Sequence, residues 1–313
     1  MTPPARLAPV IRTVTEIAAP TPAELLVVVG PTASGKTALS LELAERFGGE
    51  IVGADSVQIY RRFDLGSAKP TAEERARVPH HVIDVADPLE PMDAGRFVEL
   101  ADAAIRDVRA RGKVPIVVGG TFLWVKALVS GLAVAAPRDD GVRARHAEIA
   151  HNEGRSRIHA MLAAVDPDAA RRLAENDLVR TSRALEVFEL TGKPMSEWQR
   201  EHAFGDRRYE ARLVGVHRER DELDRRIEAR TAELLSRGFV DEVRALLADG
   251  YAGARAMGSV GYREVKAHLE GAIEADALHR EIVKSTRVFV RRQRTWLRDA
   301  DVSWLVPPER ALP

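Results

Sequence analysis

Cysteine is absent from the 313 residues. That excludes a disulfide framework, a thiol nucleophile and thiolate-bound zinc, and it predicts a cytoplasmic protein. No apolar run reaches the ~18 residues that a bilayer-spanning helix needs, so no membrane segment is expected. An excess of charge of either sign is missing too, with Lys and Arg totalling 47 and Asp and Glu also 47. A nucleic-acid partner would therefore have to meet a local basic face. An export signal is also lacking. The first 22 residues hold five prolines, Pro3, Pro4, Pro9, Pro20 and Pro22, which interrupt the apolar core that such a signal requires. Residues 1–22 read as a disordered leader.

What is present suffices for a core, with 45% hydrophobic residues beside 30% charged, over a length that predicts about two domains. Short apolar runs at 25–29, 50–54, 82–85 and 114–118 read as strands buried on both faces. Helical spacing at 37–47 and 97–111 separates them. This alternation predicts an α/β fold with a doubly wound parallel sheet. Residues 137–208 carry no strand pattern and read as short helices broken at Gly154, Asp166-Pro167 and Gly192-Lys193-Pro194. A strand at 213–216 returns to the sheet, followed by charged helices at 221–237, 240–248 and 279–299. The expected organisation is a core of 23–136 and 209–313 interrupted by a helical insertion at 137–208.

Between the first strand and first helix stands Gly30-Pro31-Thr32-Ala33-Ser34-Gly35-Lys36-Thr37, a complete G-x-x-x-x-G-K-[ST] phosphate loop in its required context. Its backbone N–H groups and the helix N-terminus can cradle a phosphate, Lys36 can reach the outer phosphate, and the Thr37 hydroxyl can ligate Mg²⁺. The loop does not say which phosphate compound it holds. The later strand at 114–118 ends in Gly119-Gly120-Thr121 rather than in the Asp usual in loops of this kind, and Asp84 is a possible substitute. Asp55 follows the next strand, at the sheet edge where ligands collect. There it could hold a metal or accept a proton, with Ser56, Gln58 and Tyr60 beside it as hydrogen-bonding groups. His80 and His81 are adjacent, point in divergent directions, and read as structural rather than as metal ligands.

Lys284, Arg287, Arg291, Arg294 and Arg298 recur at intervals of three and four, which aligns them on one helix face. Ile282, Phe289, Val290, Trp296 and Leu297 are expected on its buried side. From Arg280 to Arg298 seven basic residues stand against the single acid Glu281, which favours a polyanion such as RNA.

Together with Gly66-Ser67-Ala68-Lys69-Pro70, Pro79-His80-His81, Arg183-Ala184-Leu185-Glu186-Val187 and Gly261-Tyr262, these segments resemble the tRNA dimethylallyltransferase family, over residues 25 to 304. The resemblance implies transfer of a dimethylallyl group from dimethylallyl diphosphate to N6 of the adenosine 3′ of a tRNA anticodon, by a cytoplasmic monomer using Mg²⁺. It implies that the loop 30–37 binds the diphosphate together with Arg226, that Asp55 is the base, and that Thr121 and Lys36 lie at the reaction centre. It further implies tRNA contacts from Asp55, Ser56, Val57, Gln58, Thr121 and Arg143. More are implied from Val179-Arg180-Thr181-Ser182-Arg183, Gly258-Ser259-Val260-Gly261-Tyr262-Arg263 and Arg291-Arg292-Gln293-Arg294-Thr295-Trp296-Leu297-Arg298. The helical insertion would thus bind tRNA. Two departures are visible: Trp124 stands where the family often has Tyr, with an expected effect on the channel lining, and the zinc finger of eukaryotic relatives is missing. An ATP-dependent small-molecule kinase is the alternative that a phosphate loop alone would allow.

Overall fold

The computed structural model describes residues 10, 11, 13–131, 138–202 and 207–306. Seven strands, β1 (Val10–Ile11), β2 (Glu24–Val29), β3 (Gly49–Gly53), β4 (His80–His81), β5 (Val114–Gly119), β6 (Glu210–Val216) and β7 (Val302–Leu305), form one sheet in the order β1-β7-β6-β2-β5-β3-β4. Every pairing is parallel. Leu25 to Val29 are all fully buried. Because side chains alternate along a strand, Leu25, Val27 and Val29 enter one apolar cluster with Phe97, Ala101 and Ile105 of helix Ala94–Ala110. Leu26 and Val28 enter the other, with Leu39, Leu41, Leu43 and Ala44 of helix Lys36–Phe47. A continuous hydrophobic run is what such two-sided burial requires.

Two expectations are corrected. The supposed leader contributes structure from Val10 onward: β1 pairs with Trp304 and Leu305 of β7, and Ile17 is buried. The Arg46 guanidinium donates to the carbonyls of Val14, Thr15 and Ile17, which ties the segment to the core. Prolines exclude a helix interior but tolerate a sheet edge; residues 1–9 and 12 lie outside the described residues. The strand expected at 82–85 falls instead at His80–His81, opposite Ile51 and Val52. Val82 and Asp84 adopt φ of 61° and 58°, a left-handed backbone that ends the strand. Strand β7 is too short for periodicity to reveal.

Contacts divide the chain into two compact units, the second spanning Ser130–Arg208. This second unit consists of helices Asp140–Glu153, Arg155–Val165, Pro167–Arg172, Leu178–Thr191 and Met195–His202. Ile158, Leu162, Ala169, Ala170, Ala184 and Leu185 form its core. Two buried carboxylates organise it. Asp166 accepts from the N–H groups of Ala169 and Ser196, capping one helix and fixing the start of another. Glu186, fully buried, accepts from Arg143, Arg183 and the Asp139 N–H.

Candidate active site

The C-terminal ends of β2, β3 and β5 meet at one edge, and each delivers part of the site. After β2 the chain turns through the phosphate loop, where Gly35 adopts φ 99° and caps helix Lys36–Phe47. The Ser34 hydroxyl is fully buried and has no hydrogen-bond partner among the described residues. A buried hydroxyl without a partner costs about 1–3 kcal/mol, and a ligand oxygen in the loop would offset that. Two arginines support the loop from outside: Arg226 Nε donates to Ala33 O at 2.8 Å, and Arg218 Nε donates to Ser34 O at 3.3 Å.

After β3, Asp55 makes a tight turn in which its Oδ1 accepts from Val57 N at 2.9 Å and Gln58 N at 3.3 Å. After β5, Thr121 Oγ1 accepts from Ser56 N at 3.0 Å and donates to Ser56 Oγ at 3.3 Å. The Thr121 hydroxyl therefore fixes the residue next to Asp55. Gly120 lets these pieces approach: a Cβ there would lie 2.8 Å from Gln293 Nε2 and 3.8 Å from Lys36 Nζ.

Lys36 stands between these groups. Burial brings its pKa down to about 8, with the Asp55 carboxylate pulling it up and the Arg230 guanidinium pushing it further down. Arg230 is likewise lowered by burial and raised by Asp55. The sheet edge thus carries two cations and one carboxylate within electrostatic reach. Arg230 forms no hydrogen bond among the described residues. It lies four residues beyond Arg226 on helix Arg220–Ser236, one turn along the same face. Sequence reasoning assigned the phosphate role to Arg226 and missed both Arg230 and Arg218; the four-residue spacing was the available signal. Thr37 and Arg230 also open onto a cleft of about 660 Å³, lined further by Lys69, Arg75 and Asp84.

Several expected ligand contacts are occupied structurally. Asp84, the candidate for a metal ligand, is paired with Lys69 at 2.5 Å and Arg75 at 2.8 Å. Gln293 is buried, accepting from Thr32 N at 2.9 Å and donating to Gly120 O at 3.1 Å, so its amide is spent inside the protein. Tyr262 is fully buried and donates to Glu242, and Leu297 lies in the core. Gln58 Nε2 donates to the carbonyls of Ser67 and Ala68. Val57 packs partly buried against the core, as does Trp296, whose ring stacks on Phe122 with centroids 4.4 Å apart. Trp124, expected at a channel wall, is a core residue stacked on Phe97. His80 bonds to the Val78 carbonyl and His81 to Glu50.

The remaining residues separate by exposure. In the helical unit Thr181 and Ser182 are buried, Ser182 bonding to His146. Arg143 and Arg183 clamp Glu186, and Arg180 pairs with Asp177. Val179 is 81% exposed. In the first unit Gly261 caps helix Tyr262–Leu269, Ser259 bonds to Ala256 O, and Val260 is half-buried. Gly258 and Arg263 are exposed. On helix Ala275–Arg298 the basic stripe is partly neutralised: Lys284 pairs with Glu281, Arg287 with Asp224 and Glu228, and Arg298 with Asp299. Arg291, Arg292 and Arg294 are exposed and their side chains make no ion pair or hydrogen bond with described residues, while the exposed Thr295 bonds back to the Arg291 carbonyl. Phe289, expected in the core, is 39% exposed.

Comparison with known proteins gives a consistent picture. The family model described as IPP transferase matches residues 58–300, and one described as isopentenyl transferase matches 23–85. A tRNA dimethylallyltransferase from Sorangium cellulosum is 65% identical over 93% of each chain. One from Geobacter metallireducens is 50% identical over 91% of this chain and 93% of its own. The crystal structure of the tRNA isopentenylpyrophosphate transferase of Bacillus halodurans is 35% identical with a TM-score of 0.66, covering 91% of this chain and 90% of its own. A eukaryotic dimethylallyltransferase acting on tRNA is 26% identical with a TM-score of 0.76, covering 90% of this chain and 73% of its own.

Proposed function

The chain belongs to the tRNA dimethylallyltransferase family, and we infer that it moves a dimethylallyl group from dimethylallyl diphosphate to N6 of the adenosine 3′ of a tRNA anticodon. The observation that carries this reading is the placement of Asp55, held in its turn by Val57 N and Gln58 N and joined through Ser56 to Thr121, at the same sheet edge as a phosphate loop with a partnerless Ser34 hydroxyl. The diphosphate would sit in the loop 30–37, its oxygens facing the loop N–H groups, the partnerless Ser34 hydroxyl, Lys36 and Arg230. As the allylic C–O bond breaks, the electron pair stays on the diphosphate. These fixed positive groups stabilise charge where it develops.

The adenine amine is a weak nucleophile because its lone pair is delocalised into the ring. Asp55, already oriented by two backbone N–H groups, accepts one amine proton while nitrogen forms its bond to carbon. The target base must leave its loop stack to reach this edge. Mg²⁺ would be held by the Thr37 hydroxyl, which lines the cleft beside the phosphate loop. When bound it would offset leaving-group charge. Arg291 and Arg294 are exposed cations of the long helix whose side chains make no ion pair among the described residues, and they are assigned to RNA phosphates. A tRNA substrate supports a cytoplasmic setting.

The test is to incubate the protein with bulk tRNA and either dimethylallyl diphosphate or ATP, then digest to nucleosides and measure their masses. A prenylated adenosine with the allylic donor supports the reading. Phosphate transfer from ATP, or no product with either donor, overturns it.

A further inference from the structure

Phe289 occupies a position that neither the fold nor the proposed chemistry accounts for. Its ring is 39% exposed and joins none of the apolar clusters. At ~100° per residue, Phe289 shares a helix face with Ser285, Arg292, Gln293 and Trp296. Three of these are anchored to elements around the site. Ser285 accepts from Arg263 at 3.0 Å, Gln293 joins the phosphate loop to Gly120, and Trp296 stacks on Phe122. The face therefore belongs to the rim of the sheet edge that carries Thr121. Phe289 is an aromatic residue of this face left uncovered, with the exposed Arg292, whose side chain makes no ion pair among the described residues, beside it.

We propose that Phe289 is a stacking platform for a second nucleobase of the RNA, unstacked beside the one that enters the site. This rests on the tRNA reading above. An exposed aromatic face beside an uncommitted arginine suits a single-stranded loop: the ring takes the base face and the Arg292 guanidinium takes a phosphate.

The experiment uses an anticodon stem-loop RNA with an abasic residue at each loop position in turn, the target adenosine excepted. Wild-type protein loses about 10-fold in affinity at one position, the magnitude of a lost base–aromatic stack. Phe289→Ala loses the same factor on intact RNA and nothing further when that base is removed, and Phe289→Trp restores binding. Phe289→Leu, which keeps apolar bulk without a ring face, carries the test if the alanine variant does not fold. Unchanged affinity of Phe289→Ala or Phe289→Leu for intact RNA overturns the proposal. Losses that simply add at every position, or a change in self-association by sedimentation, also overturn it. Wild-type protein that prenylates the RNA while Phe289→Ala does so equally well overturns this inference and leaves the proposed activity standing. Wild-type protein that neither binds nor modifies the RNA overturns both.

Discussion

Gln293 holds Thr32: its side-chain oxygen accepts the Thr32 N–H at 2.9 Å while its nitrogen donates to the Gly120 carbonyl. One amide on the C-terminal helix thus joins the phosphate loop to the end of β5. The Gly120 carbonyl is buried while the Thr32 N–H is part-buried, and losing the amide leaves the carbonyl unsatisfied at about 1–3 kcal/mol. Gln293→Ala is expected to lower the melting temperature and weaken pyrophosphate binding by about 10-fold or more, while RNA affinity is retained. Calorimetry with pyrophosphate and a filter-binding assay with tRNA check this. A selective loss of RNA affinity would return Gln293 to the RNA surface.

Arg230 and Arg226 occupy successive turns of one helix, yet their surroundings differ. Arg226 donates its Nε to the Ala33 carbonyl, whereas the Arg230 guanidinium, within electrostatic reach of Lys36 and Asp55, makes no hydrogen bond among the described residues. Arg230→Met is expected to reduce turnover by about 10²-fold, the scale of a lost charge-stabilising group. Arg226→Met should act more mildly, through the shape of the loop. Single-turnover rates of the two variants decide the order.

The phosphate loop was legible because its chemistry is contiguous: eight residues after a buried strand carry the whole pattern. Asp55 was legible from its place after the next strand. Arg230 was not, since burial and proximity to Lys36 arise only when helix Arg220–Ser236 packs on the sheet edge. The same holds for the long helix. Its face reads as uniformly basic because the acids that neutralise Arg287, Asp224 and Glu228, sit about sixty residues earlier in the chain. Periodicity also placed Phe289 in the core, because spacing identifies a face but not what covers it. The parallel sheet itself followed from its apolar runs; its edge strands β1 and β4, and β7 between β1 and β6, are too short to carry a pattern.

Lys36 gives a pH dependence. Its pKa in the protein lies at about 8 against an ordinary 10.5, so the free protein loses this charge as pH rises through 8. Pyrophosphate affinity is expected to fall above that pH, relative to a Lys36→Met variant titrated in parallel to remove the ligand's own ionisation. Equal slopes for both proteins between pH 7 and 9 would contradict the assignment.

Glu186 gives a second, on stability. Burial pushes its carboxyl up, but hydrogen bonds from Arg143, Arg183 and the Asp139 N–H override this and hold it at about 2 against an ordinary 4.5. A folded-state value below the unfolded one means stabilisation that is complete above 4.5 and lost as pH falls toward 2. Glu186→Gln is therefore expected to melt well below wild type at pH 7 and to approach it near pH 3. A constant gap between the two proteins across this range would contradict the clamp.

The central claim is that Asp55 takes the proton from the adenine amine. Rapid-quench measurement of prenyl transfer by Asp55→Ala, with dimethylallyl diphosphate and saturating tRNA, tests it most directly. The account predicts unchanged tRNA affinity and a rate lowered by about 10²-fold or more, the scale of a lost general base. A rate within about threefold of wild type, below that range, would contradict it.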